Sequence, residues 1–191
     1  GNPWFKADVG IEGGRIVKVG HLNSVEAEEI IDAKGLAVCP GFIDAHTHSD
    51  MTIPFGPKVE SAVRQGATTM VTGSCGMSLA PVNPARENLL MRYIAPFLPP
   101  GGRLKVEWRT FGEYLEKMEE KGIASNVAPL VGHGTVKIAV MGFEDRPPTV
   151  EELEEMKMLI SEAMGSGAVG MSTGLIYAPG AYSKTDEIIE L

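Results

Sequence analysis

The chain has 191 residues, 43% of them apolar, with 17 Lys and Arg against 25 Asp and Glu and a net charge of −8. Its basic residues are scattered, which argues against a nucleic-acid surface and against docking on anionic lipid. No apolar run is long enough to span a bilayer, and the start does not read as a signal peptide. The 2 cysteines, Cys39 and Cys75, do not make a disulfide scaffold, so a reducing compartment, the cytoplasm, is expected.

Gly1-Asn2-Pro3-Trp4 reads as a turn inside something larger and Glu190-Leu191 as the interior of a helix, so the sequence is expected to be an excerpt of a longer chain. Residues 7–20 alternate loosely around Gly13-Gly14, which predicts a β-hairpin. Residues 28–38 predict further short strands, and His21 between them reads as a surface residue. The texture changes at Pro40-Gly41. GFIDAHTH reads as a short strand with a polar C-terminal end. Pro57 suits the first position of a helix over 57–66. ATTMVTGSCG follows as a second, buried strand ending at Gly73.

Residues 76–109, with several prolines, predict a long irregular loop, which is costly unless it covers something. Tyr93, Phe97 and Trp108 are its expected packing anchors; Arg86, Arg92 and Arg103 read as solvated or ion-paired. Thr110 and Glu113 have the spacing of a capping box for a helix running to Gly122. SNVAPLVGHG reads as a third strand with His133 at its end. Thr149 opens the longest helix, ending near Gly165, with the Met-rich segment 156–164 toward the core. Residues 167–177 predict a fourth strand, and another helix begins at Ser183. The strands are continuously apolar and end in Gly and small polar residues, as parallel strands covered by helices do. Four such units are either half of a (β/α)8 barrel, which takes about 250 residues, or a smaller open sheet.

Residues two apart on a strand share a face, so His46 and His48 are expected to present their imidazoles together. They fall at the C-terminal end of the first parallel strand, where ligand-binding loops gather. Cys75 falls at the same end of the next strand, and zinc accepts both nitrogen and sulfur. Asp44 and Asp50 share the parity of the histidines; Asp44 could orient a ligand or satisfy a backbone group. Cys39, before the strand, reads as a core thiol. His133 is a lone histidine between glycines. Gly13-Gly14 lacks the context of a dinucleotide site.

PGFIDAHTHSD, GATTMVTGSCGMSLAPV, APLVGHGTVK and GAVGMSTGLIYAPGAYS, in that order and spacing, resemble the N-terminal half of the N-acyl-D-amino-acid deacylases, a family of the metal-dependent amidohydrolases. The resemblance implies an α/β fold: the first four βα units of a (β/α)8 barrel over 41–191, and part of a small β-sandwich over 1–40. It implies a hydrolase that releases a carboxylate and a free D-amino acid from an N-acyl-D-amino acid, using zinc-activated water and one or two Zn2+ ions. His46, His48 and Cys75 match its metal ligands, Tyr177 a contact to the substrate carboxylate, and His133 a pocket-lining position. Two further histidines and a catalytic aspartate are implied beyond Leu191, so the segment alone is expected to be inactive. The expected partner is a small-molecule substrate, with neither nucleic acid nor membrane; the oligomeric state is left open.

Three other readings compete. Cys75 in GSCG could be a nucleophile with His46 or His48 as base, although a Pro-containing loop rather than a helix follows it. The chain could be a non-catalytic metal-binding α/β domain. It could also be a cyclic-amide hydrolase of the dihydroorotase or hydantoinase kind, which a cysteine ligand in place of a lysine disfavours.

Overall fold

Gly13 and Gly14 take positive φ angles of 57° and 74°, the conformation that a two-residue hairpin turn requires. They join β1 (Asp8–Glu12) to β2 (Arg15–Gly20) as an antiparallel ribbon with an irregularity between Gly10 and Ile11. The computed structural model describes residues 3–23 and 26–191, so the first two residues of the turn expected at Gly1–Trp4 lie outside the described residues. The chain divides into two compact units, Gly1–Cys39 and Pro40–Leu191.

In the first unit the strands expected over 28–38 do not form. The segment is extended coil with one turn, closed by the Leu36 N–H donating to the Ala33 carbonyl at 2.9 Å. Ile30, Ile31, Leu36 and Val38 are all exposed. Their alternation suits a strand, but a strand needs a ladder partner, and among the described residues this segment has none. Cys39, expected in the core, is exposed as well, and His21 is at the surface.

The second unit is built on parallel strands. β3 (Phe42–Asp44) pairs with β4 (Ala67–Thr72), and β4 pairs with β5 (Asn126–Pro129). The expected third strand is broken at Leu130, whose N–H donates back to Thr72 at 2.9 Å. Beyond it, β6 (Val131–Gly132) turns to pair with β7 (Met171–Ser172). Within each of this unit's two sheets chain order is thus spatial order, and every pairing among its described residues is parallel. The fourth strand is two residues long rather than spanning 167–177, and the first ends at Asp44, before both histidines.

The helices depart from expectation where the sequence lacks caps. α1 (Glu60–Val63) is a single turn; Val59, with φ at 38°, precedes it, and Pro57 stays outside. The stretch 76–109 is not loop throughout: it contains α2 (Glu87–Ile94), flanked by 3₁₀ turns at Pro84–Arg86 and Ala95–Phe97. Its anchors Tyr93 and Trp108 are buried, the Trp108 Nε1–H donating to the Leu79 carbonyl at 2.7 Å. Phe97 is more open, Arg86 donates to the Ala139 carbonyl at 3.1 Å, and Arg92 and Arg103 are exposed.

α3 (Phe111–Glu120) and α5 (Val150–Ser166) begin at Thr110 and Thr149, each closing a full capping box with Glu113 and Glu152. Such a cap contributes about 1 kcal/mol. α4 (His133–Met141) was missed by the pattern because HGTVKIAVM has no exposed polar face to set a helical period and carries no N-cap side chain; all nine of its residues, His133, Thr135 and Lys137 included, are buried. It packs against α2 and α5, and α5 against α3. Of the Met-rich segment, Met156 is buried, whereas Met158 and Met164 are exposed, correcting the expectation that the segment faces inward throughout. A 3₁₀ turn at Gly180–Tyr182 and α6 (Thr185–Glu190) complete the unit. No helix among the described residues is long and apolar enough to cross a membrane.

Candidate metal centre

β3 ends at Asp44, so strand parity does not aim the two histidines; the loop after the strand does. The exposed Asp44 carboxylate accepts the His46 N–H at 3.2 Å. The Thr47 N–H donates to the Val71 carbonyl of β4 at 3.1 Å, which carries the β3 ladder past the strand's end. A 3₁₀ turn at Ser49–Met51 follows. The imidazoles of His46 and His48 meet edge to face, 5.9 Å between centroids, and the Phe97 ring lies 4.2 Å from that of His48.

Cys75 comes to the same place from β4. It sits in a turn at φ 58°, a region non-glycine residues rarely adopt. Strain of this kind costs of order 1–3 kcal/mol and persists where the surroundings fix it. The surroundings are tight: a side chain at Gly73 would collide with the Leu130 carbonyl, and one at Gly174 with the Cys75 carbonyl and the Tyr177 hydroxyl. Ser172, at the end of β7, donates to the Gly73 carbonyl and accepts the Gly76 N–H at 2.8 Å. The ends of β4, β6 and β7 are thereby locked around the thiol.

The result is one donor cluster. His46, His48 and Cys75 each offer a ligand atom, all within 4.8 Å of one another, and His46 Nε2 is 3.2 Å from Cys75 Sγ. Nitrogen and sulfur ligands on a tetrahedral zinc, at about 2.0–2.1 and about 2.3 Å, stand roughly 3.5 Å apart. His48 Nδ1 is buried without a hydrogen-bond partner among the described residues. Burial, and secondarily the neighbouring His46, hold the His48 pKa below its usual value, so the ring is neutral and carries a free lone pair. This donor set fits a borderline-soft divalent cation such as zinc.

Asp50 lies just behind, buried, its Oδ1 unpartnered among the described residues. Burial pushes its pKa up to about 7, against backbone hydrogen bonds at Asp50, Gly73 and Met51. The Tyr177 hydroxyl donates to the Cys75 carbonyl; burial, then the adjacent thiol, push its pKa up to about 12. Tyr93, which the sequence suggested only as a packing anchor, donates to the Gly76 carbonyl at 3.3 Å and holds the turn after Cys75.

His133 is not brought to this cluster. As the first residue of α4 it is wholly buried, with Nε2 3.3 Å from Glu187 Oε1 and 3.4 Å from Ser183 Oγ. Lys137, one turn on, reaches the same carboxylate at 2.7 and 2.9 Å. Sequence reading missed this group because its members are fifty residues apart and α4 itself was not recognised. Burial holds the His133 pKa below its usual 6.5 despite Glu187. Burial opposes ionisation of Glu187, yet bonds from Lys137 and Ser183 prevail and hold its pKa below 4.5. Both shifts are downward, so both groups bind protons more readily in the unfolded chain. Stability present at neutral pH is therefore lost on acidification, from about 6.5 for His133 and from about 4.5 for Glu187. Asp50, whose raised pKa adds stability as the pH falls through about 7, acts the other way, so the His133 contribution is read by comparison: from pH 7.5 to 5.5 the urea midpoint is expected to change more unfavourably in the parent than in His133→Gln, and an identical pH dependence in both proteins would contradict the assignment.

Parallel strands, helices between them and an N,N,S donor set at the strands' C-terminal rim define a metal-binding type of site on an α/β scaffold. The chain belongs to the amidohydrolase family, whose model matches residues 29–188. Within it, the chain is similar to the D-aminoacylase of Alcaligenes xylosoxydans xylosoxydans, 41% identical over 189 residues, or 99% of this chain and 38% of that protein. A solved D-aminoacylase structure, studied for its binuclear metal centre, superposes with a TM-score of 0.84 at 39% identity, over 99% of this chain and 39% of the other. The N-acyl-D-glutamate deacylase of Bordetella bronchiseptica, solved with zinc and a phosphonate mimic of the tetrahedral intermediate, gives 0.85 at 34% identity, over 100% and 39%. The chain thus spans under two-fifths of the length of these relatives.

Proposed function

We propose that the protein carrying this chain hydrolyses the amide bond of N-acyl-D-amino acids, releasing a carboxylate and the free D-amino acid. The observation that carries the reading is the meeting of His46, His48 and Cys75 within 4.8 Å, at the ends of the first two parallel strands, in a chain 41% identical to a D-aminoacylase. In this reading residues 41–191 are the first four βα units of a (β/α)8 barrel, and residues 1–40 are part of a β-sandwich. The parallel pairing of consecutive strands within both sheets and the superposition with the deacylases support that assignment.

His46, His48 and Cys75 would hold zinc. Bound there, such an ion polarises a carbonyl and lowers the pKa of water, which is the chemistry amide hydrolysis requires. The chain's own contribution is positional. The left-handed turn at Cys75 and the glycines around it aim the thiol at the histidines. Phe97 covers one side of the His48 ring. Tyr177 stays protonated at neutral pH and fixes the Cys75 turn by donating to the Cys75 carbonyl. The general base, an aspartate, would come from outside these residues.

The test is turnover by the intact protein of N-acyl-D- and N-acyl-L-amino acids, with and without a chelator. Hydrolysis of the D-series that is abolished by chelation and restored by zinc is expected; indifference to chelation would overturn the reading. The 3.2 Å approach of His46 Nε2 to Cys75 Sγ favours a second reading, a thiol nucleophile with an imidazole base. That enzyme would survive chelation and be killed by alkylation of Cys75.

A further inference from the structure

Beside the donor cluster lies a cavity of about 630 Å3 that the proposed reaction leaves unassigned. Met77, Leu89, Tyr93, Phe97, Phe143 and Tyr177 line it, and Arg92 is the one charged lining residue among the described residues. It adjoins the candidate metal centre, because two of its walls are also walls of that centre. Phe97 lies 4.2 Å from the His48 ring, and Tyr177 is bonded to the Cys75 carbonyl.

The polar atoms of the two tyrosines are already used. The Tyr93 hydroxyl donates to Gly76 and that of Tyr177 to Cys75. Apart from the Arg92 guanidinium, the walls therefore offer a ligand hydrocarbon and aromatic faces. An N-acyl amino acid has two arms leaving its scissile carbonyl. The amino-acid arm carries an N–H and a carboxylate, which need hydrogen-bond partners on entering an apolar site. The acyl arm is hydrocarbon and needs none. The volume is typical of small-molecule sites, about 300–1,000 Å3, and far more than an acetyl methyl fills.

We propose that this cavity receives the hydrocarbon chain of the acyl group, so that substrates with several methylenes are preferred to N-acetyl ones. The inference rests on the hydrolase reading for the identity of the acyl group, and on the cavity's lining for its chemistry. It puts acyl selection on α2 and the turn that follows, the stretch 87–97.

The experiment measures binding of straight-chain carboxylates, from acetate to octanoate, to the zinc-loaded intact protein by calorimetry, and kcat/KM for the matching N-acyl-D-amino acids. Affinity is expected to rise about two- to fourfold per methylene until the cavity fills. Leu89→Trp, which fills it from α2, is expected to flatten the series. Ala178→Phe fills it from the opposite wall and serves if the first variant does not fold. A flat series in the unaltered protein, or a slope unchanged in both variants, overturns the proposal. A flat series alongside turnover of N-acetyl-D-amino acids would leave the hydrolase reading standing and remove this one. A rising series without any turnover would do the reverse.

Discussion

Replacing Cys75 by alanine is expected to strip zinc from the intact protein and to lower kcat/KM at least about a thousandfold. The magnitude follows from what a Lewis acid supplies to amide hydrolysis, several kcal/mol, with each ~1.4 kcal/mol worth tenfold in rate. His48→Ala is expected to behave the same way, because its neutral ring and unpartnered Nδ1 mark it as a donor awaiting an acceptor. Cys75→Ser keeps the shape of the turn but offers a neutral hydroxyl where zinc takes a thiolate, so it tests softness apart from geometry. Metal content after dialysis, measured by atomic emission, is the direct readout, with circular dichroism as the check on folding. The strained φ of Cys75 makes one side effect likewise measurable: Cys75→Gly, which relieves the left-handed strain, should lose metal while gaining thermal stability relative to Cys75→Ala. If all four proteins keep stoichiometric zinc, the cluster is not the metal centre.

The donor cluster was legible because its signal is local. Two histidines one residue apart and a cysteine between small residues, each just past an apolar run, mark strand ends whatever the strand's length. The reason given by strand parity was nonetheless incorrect. β3 stops at Asp44, and what aims the histidines is a loop held by the Asp44 carboxylate and by the bond from the Thr47 N–H to the Val71 carbonyl of β4. Capping boxes were equally readable, since Thr110 and Thr149 announce α3 and α5 by side-chain chemistry within four residues. α4 was not readable, because a helix buried on every side has no amphipathic period and its apolar, β-branched residues imitate a strand. The failed strands over 28–38 show the converse. Alternation records a capacity to pair, and pairing depends on a partner that local sequence cannot name. The hydrogen bonds of Tyr93, expected only as a packing anchor, and of Ser172 were not readable for a related reason: each reaches a backbone carbonyl of the Gly73–Gly76 turn, brought near only by the fold.

Lys137→Met is expected to destabilise the protein by about 3–5 kcal/mol, and Glu187→Leu by a similar amount, because each leaves a buried charge without its counterion. Lys137 is wholly buried on α4 and bridges both oxygens of Glu187 on α6, at 2.7 and 2.9 Å. Ser183 adds a bond at 2.8 Å to Oε1, and His133 stands 3.3 Å from the same oxygen. Desolvating two charges costs several kcal/mol each, so the pair does not earn its place by net stabilisation. The double variant Lys137→Met with Glu187→Leu is accordingly expected to recover most of the loss, a large favourable coupling in a double-mutant cycle. What the pair supplies is position. Hydrocarbon contacts would let α6 slide over α4, whereas a bidentate ammonium–carboxylate contact admits one register. The segment between them is the one that carries Tyr177 to Cys75. Chemical unfolding at pH 7.5 measures the cycle; a Lys137→Met variant within about 1 kcal/mol of the parent would show the ion pair to be incidental to how α6 is held.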